Sequence, residues 1–261
     1  MPSRLCYNYG EMKERKTTGF TIIETMLFLA ISGFLFVAIL ASTGNTINNQ
    51  RYHDTVYSLQ SFIQKQYSEI INVSNESSKS NCSAASEVLR GQSECVILGR
   101  YISTANDGAS LKVYKVIGIE KSTATSGNDD IKIFSEQYDL EIYKLLDGQL
   151  DVEEYDLEWG AKLVNDASSE QGPSHFSILL LRSPESGIVR TFTDPSNESF
   201  NNEKINSIIA DESRAYLENN ITACVDSNGL LSEPKSAIFI HANAAVQSDI
   251  EVIGDKDSNC R

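Results

Sequence analysis

Proline is scarce in this chain, with five in 261 residues and none between Ala41 and Pro173. Proline breaks helix interiors and central strands, so its absence permits a long uninterrupted helix followed by a run of strands. Histidine is equally sparse, and His53, His175 and His241 are scattered. The sequence contains no C-x-x-C pair, no H-E-x-x-H, no G-x-S-x-G and no glycine-rich phosphate loop. Metal, hydrolytic and phosphoryl-transfer chemistry each need such groupings, so neither an enzyme nor a cofactor is expected. Cations are few as well, 22 against 36 acidic residues, for a net charge of −14. That balance opposes non-specific binding to polyanions, and no nucleic-acid partner is indicated.

The longest absence is of charge. Nothing ionisable lies between Glu24 and Arg51, and residues Phe20–Ala41 form one apolar run. About 20 apolar residues suffice to cross a bilayer as a helix. Upstream, Lys13, Arg15 and Lys16 would hold that side in the cytoplasm by the positive-inside rule. A lone carboxylate in such a span is costly, which makes Glu24 a functional candidate. An ordinary secretory signal has a shorter apolar region. Ala38–Ser42 could serve as its cleavage site, but the run is too long and carries a glutamate in its first turn. A plain single-pass anchor accounts for length and flanking charge, but not for Gly19-Phe20 at the boundary with Glu24 beyond it.

The segment Gly19-Phe20-Thr21-Ile22-Ile23-Glu24, between basic leader and apolar run, resembles the class III signal of type IV prepilins. The resemblance implies that a prepilin peptidase cuts after Gly19 and that the new N-terminus, Phe20, is N-methylated. It implies that Glu24, fifth in the mature chain, guides assembly by neutralising the Phe20 amine of a neighbouring subunit. Two unit charges 4 Å apart attract by about 4 kcal/mol at an effective dielectric of 20. The implied protein is a minor type IV pilin or a type II secretion pseudopilin. It would sit in the inner membrane as a precursor with its globular part outside the cytoplasm, then join other pilin subunits in a surface filament. Many members carry a proline near the 22nd mature position, where this chain has Ala41. Losing the leader, with four basic and two acidic residues, would deepen the net charge from −14 to −16.

Cys6 would depart with the leader, leaving Cys82, Cys95, Cys224 and Cys260. An even number outside the cytoplasm reads as disulfides, with three connectivities open. The local pairing Cys82–Cys95 and Cys224–Cys260 is the simplest.

Val56, Leu59, Ile63, Tyr67 and Ile70 recur at intervals of three and four, one face of an amphipathic helix. One helix from about Phe20 to Ile71 is therefore expected, with residues 20–41 in the membrane and 42–72 packed on a sheet. A β-rich domain over 73–261 completes an α+β fold, the lollipop layout of pilins. Strand-like runs are Val96–Ser103, Leu111–Glu120, Ile131–Leu146, Tyr155–Val164, Phe176–Arg182, Ile188–Thr193, Ala237–His241 and Asp249–Ile253. Asn201–Arg214 reads as helix or loop. The order Tyr155–Leu163, Leu181–Gly187, Ala237–Asn243 is similar to the sheet of H-type pseudopilins. The acidic stretch Asp151–Glu158 reads as a solvated strand face and turn. Asp255, Asp257 and Asn259 have the D-x-D-x-N spacing of calcium loops, although Cys260 stands where an EF-hand needs glycine. No metal is assigned.

Overall fold

The computed structural model describes residues 19, 21–72, 95–121, 129–145, 148–164, 174–194, 201–210, 215–227, 236–254 and 260. In chain order the elements are α1 (Ile22–Ile71), β1 (Cys95–Thr104), β2 (Ser110–Glu120), α2 (Asp130–Gln137) and β3 (Tyr138–Ile142). Then follow β4 (Val152–Asp156), β5 (Lys162–Val164), β6 (Ser177–Arg182), β7 (Val189–Asp194) and α3 (Asn202–Ala210). The last are α4 (Ala215–Glu218), β8 (Ile221–Asp226), β9 (Ser236–Ile240) and β10 (Ile250–Ile253). The chain divides into two compact units, Met1–Ile47 and Asn48–Arg261. The fold is α+β, a long N-terminal helix with antiparallel sheets.

In the first unit, α1 carries large apolar side chains that nothing covers, from Ile22 at 78 % exposure to Phe34 at 76 %. The helix is long and apolar enough to cross a membrane. In the second unit the helix changes character. Tyr52, Val56, Leu59, Ile63, Tyr67 and Ile70 are all buried, which is the stripe that three-and-four spacing places on one side. Burying six such side chains stabilises the fold by on the order of 10 kcal/mol, an upper figure because unfolded chains already shelter some apolar area.

Sheet one runs β3-β2-β1-β6-β7, with β4 also paired to β2. Sheet two runs β10-β9-β8-β5. Sheet one is covered on both faces. Ile102, Val113, Ile178 and Leu180 join the core around α1 together with Leu163, Val225, Ile238 and Ile240 of sheet two. Leu179, Leu181, Phe192 and Tyr101 face the other way, onto Phe134 of α2 and Ile205, Ile208 and Ile209 of α3. A strand buried on both faces needs no polar alternation, which is why β6 reads Ile-Leu-Leu-Leu.

Two helices close sheet edges with amides one turn apart. Asn206 accepts from Leu140 N at 3.3 Å and donates to Leu140 O at 3.0 Å, while Asn202 accepts from Ile142 N at 3.0 Å. Gln60 and Gln64 of α1 donate to Ile250 O of β10 at 2.9 and 3.4 Å. Unpaired edges template aggregation, and here side-chain amides take the place of a further strand.

Three expectations are corrected. The expected strand Ile131–Leu146 begins as a helix, because Asp129 caps α2 by accepting from Ile131 N at 3.1 Å, and strand β3 starts only at Tyr138. The run Tyr155–Val164 breaks at a helical turn, Glu158–Gly160, in which Trp159 takes φ 58° and Gly160 φ 73°. Strand β8, absent from the sequence reading, lies between β9 and β5.

Candidate processing site and the contacts of the long helix

Helix α1 begins at Ile22, which makes Thr21 its N-cap and Glu24 its third residue. Thr21 Oγ1 accepts from Glu24 N at 3.3 Å, and the Glu24 carboxylate accepts from Thr21 N at 3.5 Å. This is a capping box, in which two orphan donors are satisfied reciprocally. It also sets a negative charge at the positive end of the helix dipole. Glu24 therefore has a role inside its own chain, and the T-x-x-E spacing that announces it was present in the sequence. Gly19 is exposed, and a side chain there would meet nothing within 4 Å. Phe20 lies outside the described residues.

Further along α1, an ionic seam joins helix to sheet. Arg100 of β1, 13 % exposed, pairs with Glu69 and reaches Glu153 of β4 at 3.2 Å. It also donates to Gln66 Oε1 at 2.5 Å. Lys65 completes the seam at 2.7 Å from Glu153 and 3.4 Å from Glu69. Partial burial works against ionisation of Glu153. The hydrogen bond and charge of Lys65, with the charge of Arg100, outweigh it and hold the carboxyl below its ordinary value. The same bond to Glu153 raises Lys65, against the cost of desolvation.

The acidic stretch forms the expected strand face and turn, with Glu154, Asp156 and Glu158 exposed, and some of its acids also meet basic side chains. Asp151 pairs with Lys115 at 2.7 Å, Glu153 with Lys65 and Arg100, and Glu154 with Lys112 at 3.8 Å. Their partners lie dozens of residues away, beyond the reach of a local reading. Phe62 of α1 stacks on Tyr155 at 4.3 Å, and Tyr155 donates to Ser58 at 3.0 Å. Deeper in, Thr191 donates to Ala244 O, so Tyr67 donates to Thr191 Oγ1 at 2.9 Å. Burial pushes the Tyr67 phenol far above its ordinary range. The ring of Trp159 is 53 % exposed, with the Arg51 guanidinium 4.5 Å from its centroid.

Cys224 of β8 and Cys260 form a disulfide, their Cα atoms 5.7 Å apart and both residues buried against Ala237. Cys82 lies outside the described residues; Cys95 opens β1. Asp255, Asp257 and Asn259 also lie outside them. His53 is exposed on α1 beside Tyr57, at a ring separation of 6.5 Å, and His241 follows β9 at 3.8 Å from Glu251. Among the described residues no three His, Cys, Asp or Glu side chains converge on a metal-sized site. No family model matches the chain, and neither a curated protein nor a solved structure matches it.

Proposed function

We propose that this chain is a minor type IV pilin, cut between Gly19 and Phe20, N-methylated on Phe20 and assembled through the apolar half of α1. One observation carries the reading. The Gly-Phe-x-x-x-Glu segment sits at the start of a helix whose apolar side chains are open to the surroundings over residues 22–40. Such a surface is stable only against lipid tails or like helices. A precursor anchor that becomes a filament core uses both in turn. The disulfide at Cys224–Cys260 accords with a globular part outside the cytoplasm. A type II secretion pseudopilin shares the same processing and differs only in the machine served.

The capping box favours a second reading. If Glu24 serves only to cap its own helix, the protein is a single-pass anchored domain that never polymerises. Exposure to prepilin peptidase followed by N-terminal sequencing separates the two. The pilin begins at N-methyl-Phe20, whereas a chain still starting at Met1, or one starting near Ser42, overturns the proposal. Gly19→Ala adds bulk at the cut and is expected to leave uncut precursor in the membrane. Normal mature protein from that variant would refute the assignment of Gly19.

A further inference from the structure

Sheet one ends on β3, β4 and β7, and sheet two on β10 and β5. Most of these ends are closed. Asn202 and Asn206 cover β3, and Gln60 and Gln64 cover β10. On β5, Leu163 N donates to Gly108 O at 2.8 Å, and Leu163 O accepts from Ser174 N at 3.0 Å. On β7, Val189, Thr191 and Thr193 are buried. Among the described residues β4 is the exception, paired with β2 alone.

The ladder decides which groups β4 presents. Ser110 stands opposite Asp156, and one step beyond, Leu157 N donates to Ala109 O at 2.9 Å. Bonded and non-bonded pairs alternate along an antiparallel ladder. Leu111–Tyr155 and Val113–Glu153 are therefore bonded pairs, and the amides and carbonyls of Val152, Glu154 and Asp156 point away from β2. The same alternation directs Leu140 and Ile142 outward on β3, where the asparagines of α3 meet them. On β4 all three outward residues are exposed. Their side chains share one face of the strand, apolar at Val152 and acidic at Glu154 and Asp156. Glu154 has only a distant cation, Lys112 at 3.8 Å, and Asp156 has none among the described residues.

This edge rejects its own kind. Two copies joined antiparallel about Glu154 would set Glu154 against Glu154, and parallel strands in register would set every acid against itself. Like charges directly opposite destabilise a sheet. A cationic strand meets the reverse, a row of free backbone groups beside two carboxylates on a chain of net charge −14.

We propose that β4 is a docking edge for an extended basic segment of another protein, which adds antiparallel as a further strand. Residues of that segment opposite Asp156, Glu154 and Val152 are cation, cation and apolar, so it reads Lys/Arg-x-Lys/Arg-x-apolar from its N-terminus. The docking edge does not depend on where the chain is cut, so N-terminal sequencing tests the pilin assignment separately.

Titrating the full chain in detergent micelles at low salt with the peptide Thr-Lys-Thr-Lys-Thr-Val-Thr, with amide exchange read residue by residue, tests this. Binding should be saturable and slow exchange at Val152, Glu154 and Asp156 by at least ~5-fold. The amides of Glu153 and Tyr155, already bonded to β2, should not change. The same peptide N-methylated on both lysines and the valine keeps its charges but loses its donors to β4, and should give no such alternation. Glu154→Gln/Asp156→Asn should weaken binding by roughly 5- to 10-fold, with unaltered protection of β2 showing that the sheet is still folded. Equal binding of the N-methylated peptide overturns strand addition. Equal binding by the variant, or of Thr-Glu-Thr-Glu-Thr-Val-Thr, overturns the basic partner. Slowing of the same three amides without peptide, growing with protein concentration, would give the edge to a second copy and overturn the proposal as well.

Discussion

At the scale of the residue, Gly99 shows how little freedom the sheet leaves. It pairs with Leu181 of β6 beside an irregularity in β1, and a Cβ at this position would lie 1.9 Å from Leu180 O. A backbone oxygen has no rotamer by which to retreat. Gly99→Ala is expected to cost about 2 kcal/mol or more, read as a lower urea midpoint; a midpoint equal to wild type would show that the strands part freely. Glu24 poses a different question, since one carboxylate has two candidate partners. Glu24→Ala removes both, whereas Thr21→Ala removes the hydroxyl half of the capping box and leaves the charge, at about 1 kcal/mol of local helix stability. If pairing with a neighbour's Phe20 amine governs assembly, Glu24→Ala is cleaved and folded but missing from sheared filaments. Thr21→Ala then still incorporates. Equal loss in both variants would assign Glu24 to the cap.

At the scale of elements, β4 is tied to α1 by charge as well as by packing. Glu153 has its carboxyl held below the usual value of about 4.5, so its contribution is present above that pH and lost as pH falls through the acid range. Lys65 is raised, and its contribution persists until pH rises beyond about 10.5. Acid therefore opens the seam first. Glu153 is more than a third exposed, so solvent screens the pairing and Glu153→Gln should cost on the order of 1 kcal/mol at neutral pH. The gap between wild type and variant in urea melts should shrink between pH 7 and pH 3. A gap of the same size at both would mean that packing, not charge, holds β4. The amide pairs Asn202/Asn206 and Gln60/Gln64 act at the same scale, since helical spacing of four aligns two side chains along one strand edge.

At the scale of the whole molecule, the Cys224–Cys260 bond closes the C-terminal segment onto the interior of sheet two. Cys224→Ser/Cys260→Ser is expected to lose about 2–4 kcal/mol, measured as a drop in Tm relative to wild type under oxidising conditions. An unchanged Tm would show that packing around Ala237 suffices. The apolar helix, the lone Glu24 and the buried stripe from Val56 to Ile70 were legible in the sequence, because each is a pattern within a few turns of chain. Thr21 was legible too, by its spacing to Glu24. The start of α2 was ambiguous because Ile131 and Ile133 alternate as in a strand, and the Asp129 cap tipped the balance toward helix. Strand β8 was hidden because Ile221-Thr-Ala-Cys-Val is short and becomes a strand by lying between β9 and β5. Pairings such as Arg100 with Glu153, or Gln60 with Ile250, join residues 53 and 190 positions apart. By itself the sequence determined the long helix and the segment at its head, since periodicity and hydrophobicity are local. Only the tertiary structure decided which acids are neutralised, which edges are closed and which strand is central, since those depend on distant residues brought within hydrogen-bond range.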